Sequence, residues 1–256
     1  MQTFPRGIDL NADIGEGSLA DAELIPLVSS VNIACGAHAG DDATMAQAVA
    51  RAAAQGCAIG AHPGYADPEH FGRRTLDVPT PAIYRLVGEQ IDALARHVAT
   101  AGARLTHVKP HGALYNQAAR DIERAMAIAE AVHDTDPHLV LVGLAGSALI
   151  DAGRKVALRT AQEAFVDRRY EADGSLTPRS HPDAVIRHPE DAARQVLTLL
   201  RSGRLIARNR KAIALSADTL CVHGDNPAAL DLIRQVRQHL ALAGIAVRPV
   251  PLTPLP

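Results

Sequence analysis

The sequence has no tryptophan, three phenylalanines and four tyrosines, so aromatic residues fill 3% of its 256 positions. A surface that stacks nucleic-acid bases needs more rings than that. Excess charge of one sign is also missing. The 26 basic and 28 acidic side chains leave a formal charge of −2, which gives no general attraction to nucleic acid or to an anionic membrane. No apolar run approaches the roughly 20 residues of a membrane span, and the opening MQTFPRGIDLN carries no secretory h-region. Cysteine is limited to Cys35, Cys57 and Cys221. The number is odd, no pair is spaced C-x-x-C, and each lies in a strand-like run. They read as small buried residues with reduced thiols, as in a cytoplasm, and not as zinc ligands. No G-x-x-x-x-G-K-[ST] phosphate loop occurs. The stretch GEGSLA at 15–20 formally fits G-x-G-x-x-A. No clear βαβ unit with an acidic residue on the next strand end follows it, so it is not read as a dinucleotide loop.

What is present is an alternation of strand-like and helix-like segments. Residues 8–14, IDLNADI, alternate strictly, with Ile8, Leu10, Ala12 and Ile14 on one face and Asp9, Asn11 and Asp13 on the other. Residues 42–55 and 81–101 have helical periodicity; in the second, Ile83, Leu86, Val87, Ile91, Leu94 and Val98 form the apolar stripe. Asp42 is a plausible N-cap of the first. A sixth strand-like region covers 156–165, and Asn226 with Pro227 fits the start of a last helix. No linker or repeat interrupts the pattern. A single domain over 1–256, of the size of a (β/α) barrel, is the simplest account.

The strand ends share a pattern. They read NADIGEG, CGAHAGD, GAHPGY, VKPHGALYN, FVDRRY and CVHGD. The C-terminal ends of parallel barrel strands lie on one rim, where catalytic groups gather. That rim would collect Asp13, Glu16, His38, His62, Lys109, His111, Asp167, His223 and Asp225. Any one of these histidines alone is more often structural than catalytic; six strand ends punctuated in the same way are hard to attribute to chance. The stretch LTHVKPHGALYN at 105–116 carries the single lysine of these ends. His107, deeper in that strand, reads as a structural partner.

These stretches, with FGRR at 71–74 and DNP at 225–227, resemble the LamB/YcsF family from Ile8 to Pro249. Departures are small: Gly88-Glu89-Gln90 stands where relatives usually carry a Tyr-Gln pair, and Ala157 replaces a glycine in a pattern whose Leu158 and Glu163 are kept. The resemblance implies a distorted TIM-like (β/α)7 barrel of the glycoside hydrolase/deacetylase type. It also implies ATP-dependent opening of 5-oxo-L-proline to L-glutamate by an A subunit working with separate B and C subunits, and it leaves homo-oligomerisation open. With no P-loop, nucleotide contact here would be unconventional, or the partner subunits would carry the phosphorylation.

Side-chain chemistry then assigns roles. Asp13, with Glu16 as alternative, is the candidate general base. Lys109 would hold the substrate carboxylate or a phosphorylated intermediate, and His111 is a further catalytic candidate; His38, His62, His111 and His223 are either proton-transfer groups or metal ligands. Asn11, His38, His62, Asp167, His223 and Asp225 are candidate substrate contacts, and Arg73 and Arg74 would close over an anion. A divalent metal, if bound, would be held by His38, His62 and His223 with Asp13. Two alternatives remain: a stand-alone metal-dependent amide or carbohydrate deacetylase, and a non-catalytic subunit that binds substrate.

Overall fold

The structure, a computed structural model, describes residues 4–224 and 228–251. Among these residues seven parallel strands close a barrel: β1 (Gly7–Ile14), β2 (Ser30–Ala34), β3 (Ala58–His62), β4 (Leu105–Val108), β5 (Val140–Leu144), β6 (Arg159–Phe165) and β7 (Thr219–His223). They are hydrogen-bonded in that order. β7 returns to pair with β1, setting Thr219 opposite Asp9 and His223 opposite Asp13. The expected (β/α)7 barrel is therefore the observed one. The pair Ala246–Val247 lies parallel to the start of β1, and a hairpin of Arg204–Ile206 with Ala212–Ala214 sits in the long β6–β7 connection.

Helices on the outside explain the strand pattern. Ile8, Leu10, Ala12 and Ile14 join the continuous apolar core. The alternate residues Asp9, Asn11 and Asp13 are equally buried, and they bond to side chains from β2, β6 and β7 and to Lys109 just past β4. The barrel interior is thus polar, and its polar groups are satisfied across strands, which removes most of the cost of burying them. Asp9 illustrates this: it accepts hydrogen bonds from Ser29 (2.6 Å), Ser30 (2.7 Å) and Thr219 (2.5 Å).

Helix ends follow local chemistry. Asp41, one residue before the expected cap, accepts from the Thr44 amide at 2.7 Å and starts the helix Asp42–Ala54. Asp121 caps Ile122–Thr135 through the amides of Glu123 and Arg124. The short helix Ala148–Lys155 has no counterpart in the sequence reading, because two turns are too few to establish a period. It also delays the sixth strand, which begins at Arg159 and not at 156. The proposed start of the last helix at Asn226–Pro227 lies outside the described residues; that helix is seen from Ala229 to Leu242.

Two positions show how backbone freedom is used. Gly60 on β3 faces His107 on β4, and a Cβ at Gly60 would lie 2.1 Å from His107 Nε2. The ring fills that space and bonds to Asn32 Oδ1 at 2.9 Å. Burial, helped by the nearby Lys109 charge, pushes its pKa down to about 3. His107 is a neutral internal strut. Ala157 ends the short helix at φ 59, a left-handed conformation that costs a residue with a Cβ about 1–2 kcal/mol. Ala157→Gly should raise stability by about 0.5–1 kcal/mol, the gain being reduced by glycine's freedom in the unfolded chain. A thermal melt checks this; an unchanged or lower midpoint would contradict it.

Candidate active site

The C-terminal ends of the strands open into a cavity of about 700 Å³. Its floor is an ion cluster. Lys109, just past β4, is 2% exposed. Its Nζ lies 2.8 Å from Asp13 Oδ1 and 2.9 Å from Glu163 Oε1. It also donates to Asn11 Oδ1 at 3.3 Å and to Cys221 Sγ at 3.1 Å. Glu163 is held in turn by the Asn11 amide (3.0 Å) and the Tyr115 hydroxyl (2.8 Å). Burial opposes the ammonium charge, but Asp13, Cys221 and Glu163 outweigh it and hold the Lys109 pKa well above its ordinary value. Burial likewise pushes Asp13 up, yet His62 and Lys109 prevail and keep its carboxyl well below the usual range. Lys109 is therefore a cation already matched by two carboxyl groups, not one left open for a substrate anion.

Beside the floor stand three histidines from the ends of consecutive strands β2, β3 and β4. His62 Nδ1 donates to the Lys109 carbonyl at 2.7 Å, and His111 Nε2 donates to the Phe71 carbonyl at 2.8 Å. Their inner nitrogens then face each other, His111 Nδ1 to His62 Nε2, at 3.0 Å. Glu16 Oε1 lies 3.1 Å from His111 Nδ1 and 3.1 Å from His38 Nε2. His38 stacks on His111 with ring centroids 3.8 Å apart. The loop that brings Phe71 there needs glycine: Gly112 has φ +53, and a Cβ on it would meet the Gly72 carbonyl oxygen at 2.6 Å.

Burial lowers the His38 pKa to about 4, against the pull of Glu16, and it lowers His111 too. For His62 burial also disfavours the charge, but Asp13 outweighs it and the pKa rises. Burial pushes Glu16 up, while hydrogen bonds from His111 and His38 more than reverse this and hold it far below its usual value. Four lone-pair donors converge: Glu16, His38, His62 and His111 each offer one ligand atom, all within 4.8 Å of one another. Two of the rings have their outer nitrogens committed to carbonyls, which is how metal-binding histidines are oriented. The buried His38 Nδ1 has no partner.

On the opposite side, His223 Nδ1 donates to Asp167 at 3.0 Å. Its ring stacks on Phe165 at 5.2 Å, and it lines the cavity. Asp167 is 1% exposed; burial opposes its charge, and His223, Arg179 and Arg168 keep its pKa low. With Nδ1 donating, a neutral His223 presents the Nε2 lone pair.

The structure thus collects nearly all the sequence candidates but separates their duties. Asp13, Glu16, His62, Lys109, His111, Arg73 and His223 line the cavity. Three expected substrate contacts lie behind that surface: Asn11 bonds to Lys109, His38 stacks beneath His111, and Asp167 holds His223. Arg74 turns to Asp67 at 3.3 Å and is not among the lining residues, because adjacent side chains in the loop diverge. Asp225 lies outside the described residues. The expected metal set is also corrected. His223 groups with Asp13 and Cys221, while His38 and His62 group with Glu16 and His111. Sequence reasoning missed Glu163, Tyr115 and Arg168 as site residues and took Cys221 for inert filling. Glu163 had a signal, an acid in the middle of a strand-like run.

The sequence profile of the LamB/YcsF family matches residues 8–254. The chain is 52% identical over 246 residues, 94% of its length and 98% of the relative's, to a protein from Bordetella pertussis that is named as the A subunit of 5-oxoprolinase. It superposes with a TM-score of 0.88 and 45% identity on a lactam utilization protein from Thermus thermophilus, covering 94% of this chain and 99% of that one. A similarity to T48 deacetylase, at 13% identity and a TM-score of 0.52 over 95% of this chain and 88% of that one, shows a shared barrel fold alone.

Proposed function

The chain belongs to the LamB/YcsF family, and on that basis we propose that it is the A subunit of an ATP-dependent 5-oxoprolinase that hydrolyses 5-oxo-L-proline to L-glutamate. The observation that carries this reading is the cavity: a buried cation, carboxylates and an oriented histidine face one space in a chain half identical to a named 5-oxoprolinase component. The lactam ring is a resonance-stabilised amide. Opening it adds water to the carbonyl, breaks the C–N bond and delivers a proton to nitrogen, and coupling to ATP supplies the driving force.

The residues divide this work. His223, aligned by Asp167, accepts the proton from water through Nε2 and returns it to the leaving nitrogen. This role moves from Asp13, because a carboxylate held so far below its usual pKa is a weak base. Asp13 instead keeps Lys109 charged, and that cation stabilises negative charge growing on the lactam oxygen. Glu163, Asn11 and Tyr115 fix Lys109 in place. Glu16, His38, His62 and His111 suit a divalent cation by donor type and convergence. Such an ion, when bound, would supply Lewis-acid activation. Partner B and C subunits and a cytoplasmic setting complete the proposal; no described helix is long and apolar enough to cross a membrane.

The same four-donor cluster favours one other reading, a stand-alone metal-dependent amide or carbohydrate deacetylase. One experiment separates them. Glutamate release from 5-oxoproline is measured with this chain alone and with B and C subunits, with and without ATP, and deacetylation is assayed after metal loading. ATP-dependent glutamate from the full mixture is expected. No glutamate from that mixture, with metal-dependent deacetylation by the chain alone, would reverse the assignment.

A further inference from the structure

We propose that a second cavity, at the opposite end of the barrel, binds a small organic cation, a primary ammonium on a short apolar body, with Asp9 as its counter-charge. This site is separate from the candidate active site and does not depend on the 5-oxoprolinase reading.

The cavity has a volume of about 200 Å³; an apolar cavity of about 150 Å³ is enough to hold benzene. It is lined where strands begin: Ser30 opens β2, Ala58 opens β3, Val140 opens β5 and Thr219 opens β7. Its walls are of two kinds. On one side Val140 and Val142 join Ala161 in a small apolar cluster apart from the main core, with Val250 packed against it. On the other side stand Asp9, Asn11 and His107. Burial pushes the His107 pKa down to about 3, and burial also raises the pKa of the lining thiol Cys57. Asp9 is therefore the one lining residue charged at neutral pH.

That charge sets the class of ligand. Asp9 is 4% exposed, and among the described residues no basic side chain pairs with it. The charged neighbour that acts on it, Glu163, has the same sign. Asp13, two residues on, is by contrast matched by Lys109 at 2.8 Å. Asp9 Oδ1 accepts from the hydroxyls of Ser29 and Ser30, and Oδ2 accepts from Thr219, which leaves Oδ2 room for a second donor. Burial raises the Asp9 pKa in spite of these hydroxyls, because neutral donors do not offset the loss of water around a charge. An ammonium group would supply the missing positive charge, and its carbon chain would cover Val140 and Val142. A bare metal ion would leave that apolar wall unused, and an anion would be repelled. The site also reaches the Lys109 cluster through two side chains. Thr219 Oγ1 accepts from the Asn11 amide at 2.7 Å, and Asn11 bonds to Glu163 at 3.0 Å and to Lys109 at 3.3 Å.

The test is isothermal titration of the full chain with n-butylammonium, n-butanol, butyrate and potassium ion. In the wild type n-butylammonium is expected to bind saturably at one site, and the other three probes roughly tenfold or more weakly, the effect of losing one charge-assisted contact. Asp9→Asn keeps the shape but not the charge and should weaken n-butylammonium binding by roughly tenfold or more. Val142→Phe, which fills the apolar side, should weaken it as much with Asp9 intact. Melting curves show which variants fold, and the wild-type series decides the matter even if neither does. Absence of saturable n-butylammonium binding overturns the proposal. So does n-butanol binding as tightly, which removes the charge from the argument, or potassium binding as tightly, which removes the apolar wall. Unchanged affinity in folded Asp9→Asn overturns it too, by placing the amine in the other cavity beside Glu16.

Discussion

Lys109→Met is expected to unfold about 3–5 kcal/mol more easily than the wild type and to release no measurable glutamate in the reconstituted assay. Lys109 is buried to 2% between Asp13 at 2.8 Å and Glu163 at 2.9 Å. Its removal leaves two carboxyl groups facing each other out of water. The cost comes from the uncompensated charges, because a buried ion pair contributes little over an apolar replacement while a broken one is penalised heavily. The double variant Lys109→Met with Glu163→Gln should therefore recover part of the lost stability and none of the activity. Urea unfolding of the wild type and both variants measures this. A Lys109→Met protein as stable as the wild type would mean that the cluster does not hold the barrel floor together. Activity retained in that variant would remove Lys109 from the chemistry.

The barrel and its rim were legible because most of the apolar strands stop at glycine or proline beside a polar residue, as in GAHPG and VKPHG. That punctuation states which residues reach the rim, but it does not state their azimuth around it. His38, His62 and His111 follow consecutive strands and meet; His223 ends β7, which closes onto β1, and so stands on the other side of Asp13. The metal set that joined His223 to His38 and His62 failed for that reason. Depth was also hidden. Asn11 and Asp13 share one face of β1, yet the first sits under Lys109 and only the second reaches the cavity. Glu163 could not be placed from TAQEAF alone, since a solvated strand face would look the same; barrel closure turns it inward. Arg73 and Arg74 are neighbours whose divergence depends on loop dihedrals that no periodicity encodes. Cys221 shows the converse: a residue correctly expected to be buried acquires a polar partner, Lys109 at 3.1 Å, because the barrel interior around it is ionic.

His223 carries the second large effect. Its Nδ1 is fixed by Asp167 at 3.0 Å and its ring by Phe165, so the proton-bearing side is held away from the cavity and Nε2 faces it. Loss of a general acid–base group of this kind lowers turnover by about 10²–10⁴-fold. His223→Gln keeps a polar group of similar reach but cannot shuttle a proton. The side chain is partly exposed at the rim, so its replacement should leave the fold intact. Asp167→Asn keeps the ring in place but no longer stabilises the imidazolium. It should cause a smaller fall in kcat than His223→Gln does.

The most direct test is kcat for ATP-dependent glutamate release by the reconstituted mixture containing folded His223→Gln chain, with 5-oxoproline binding measured in parallel. A fall of about 100-fold or more, with binding retained, is the predicted result; wild-type turnover in that variant would contradict the account.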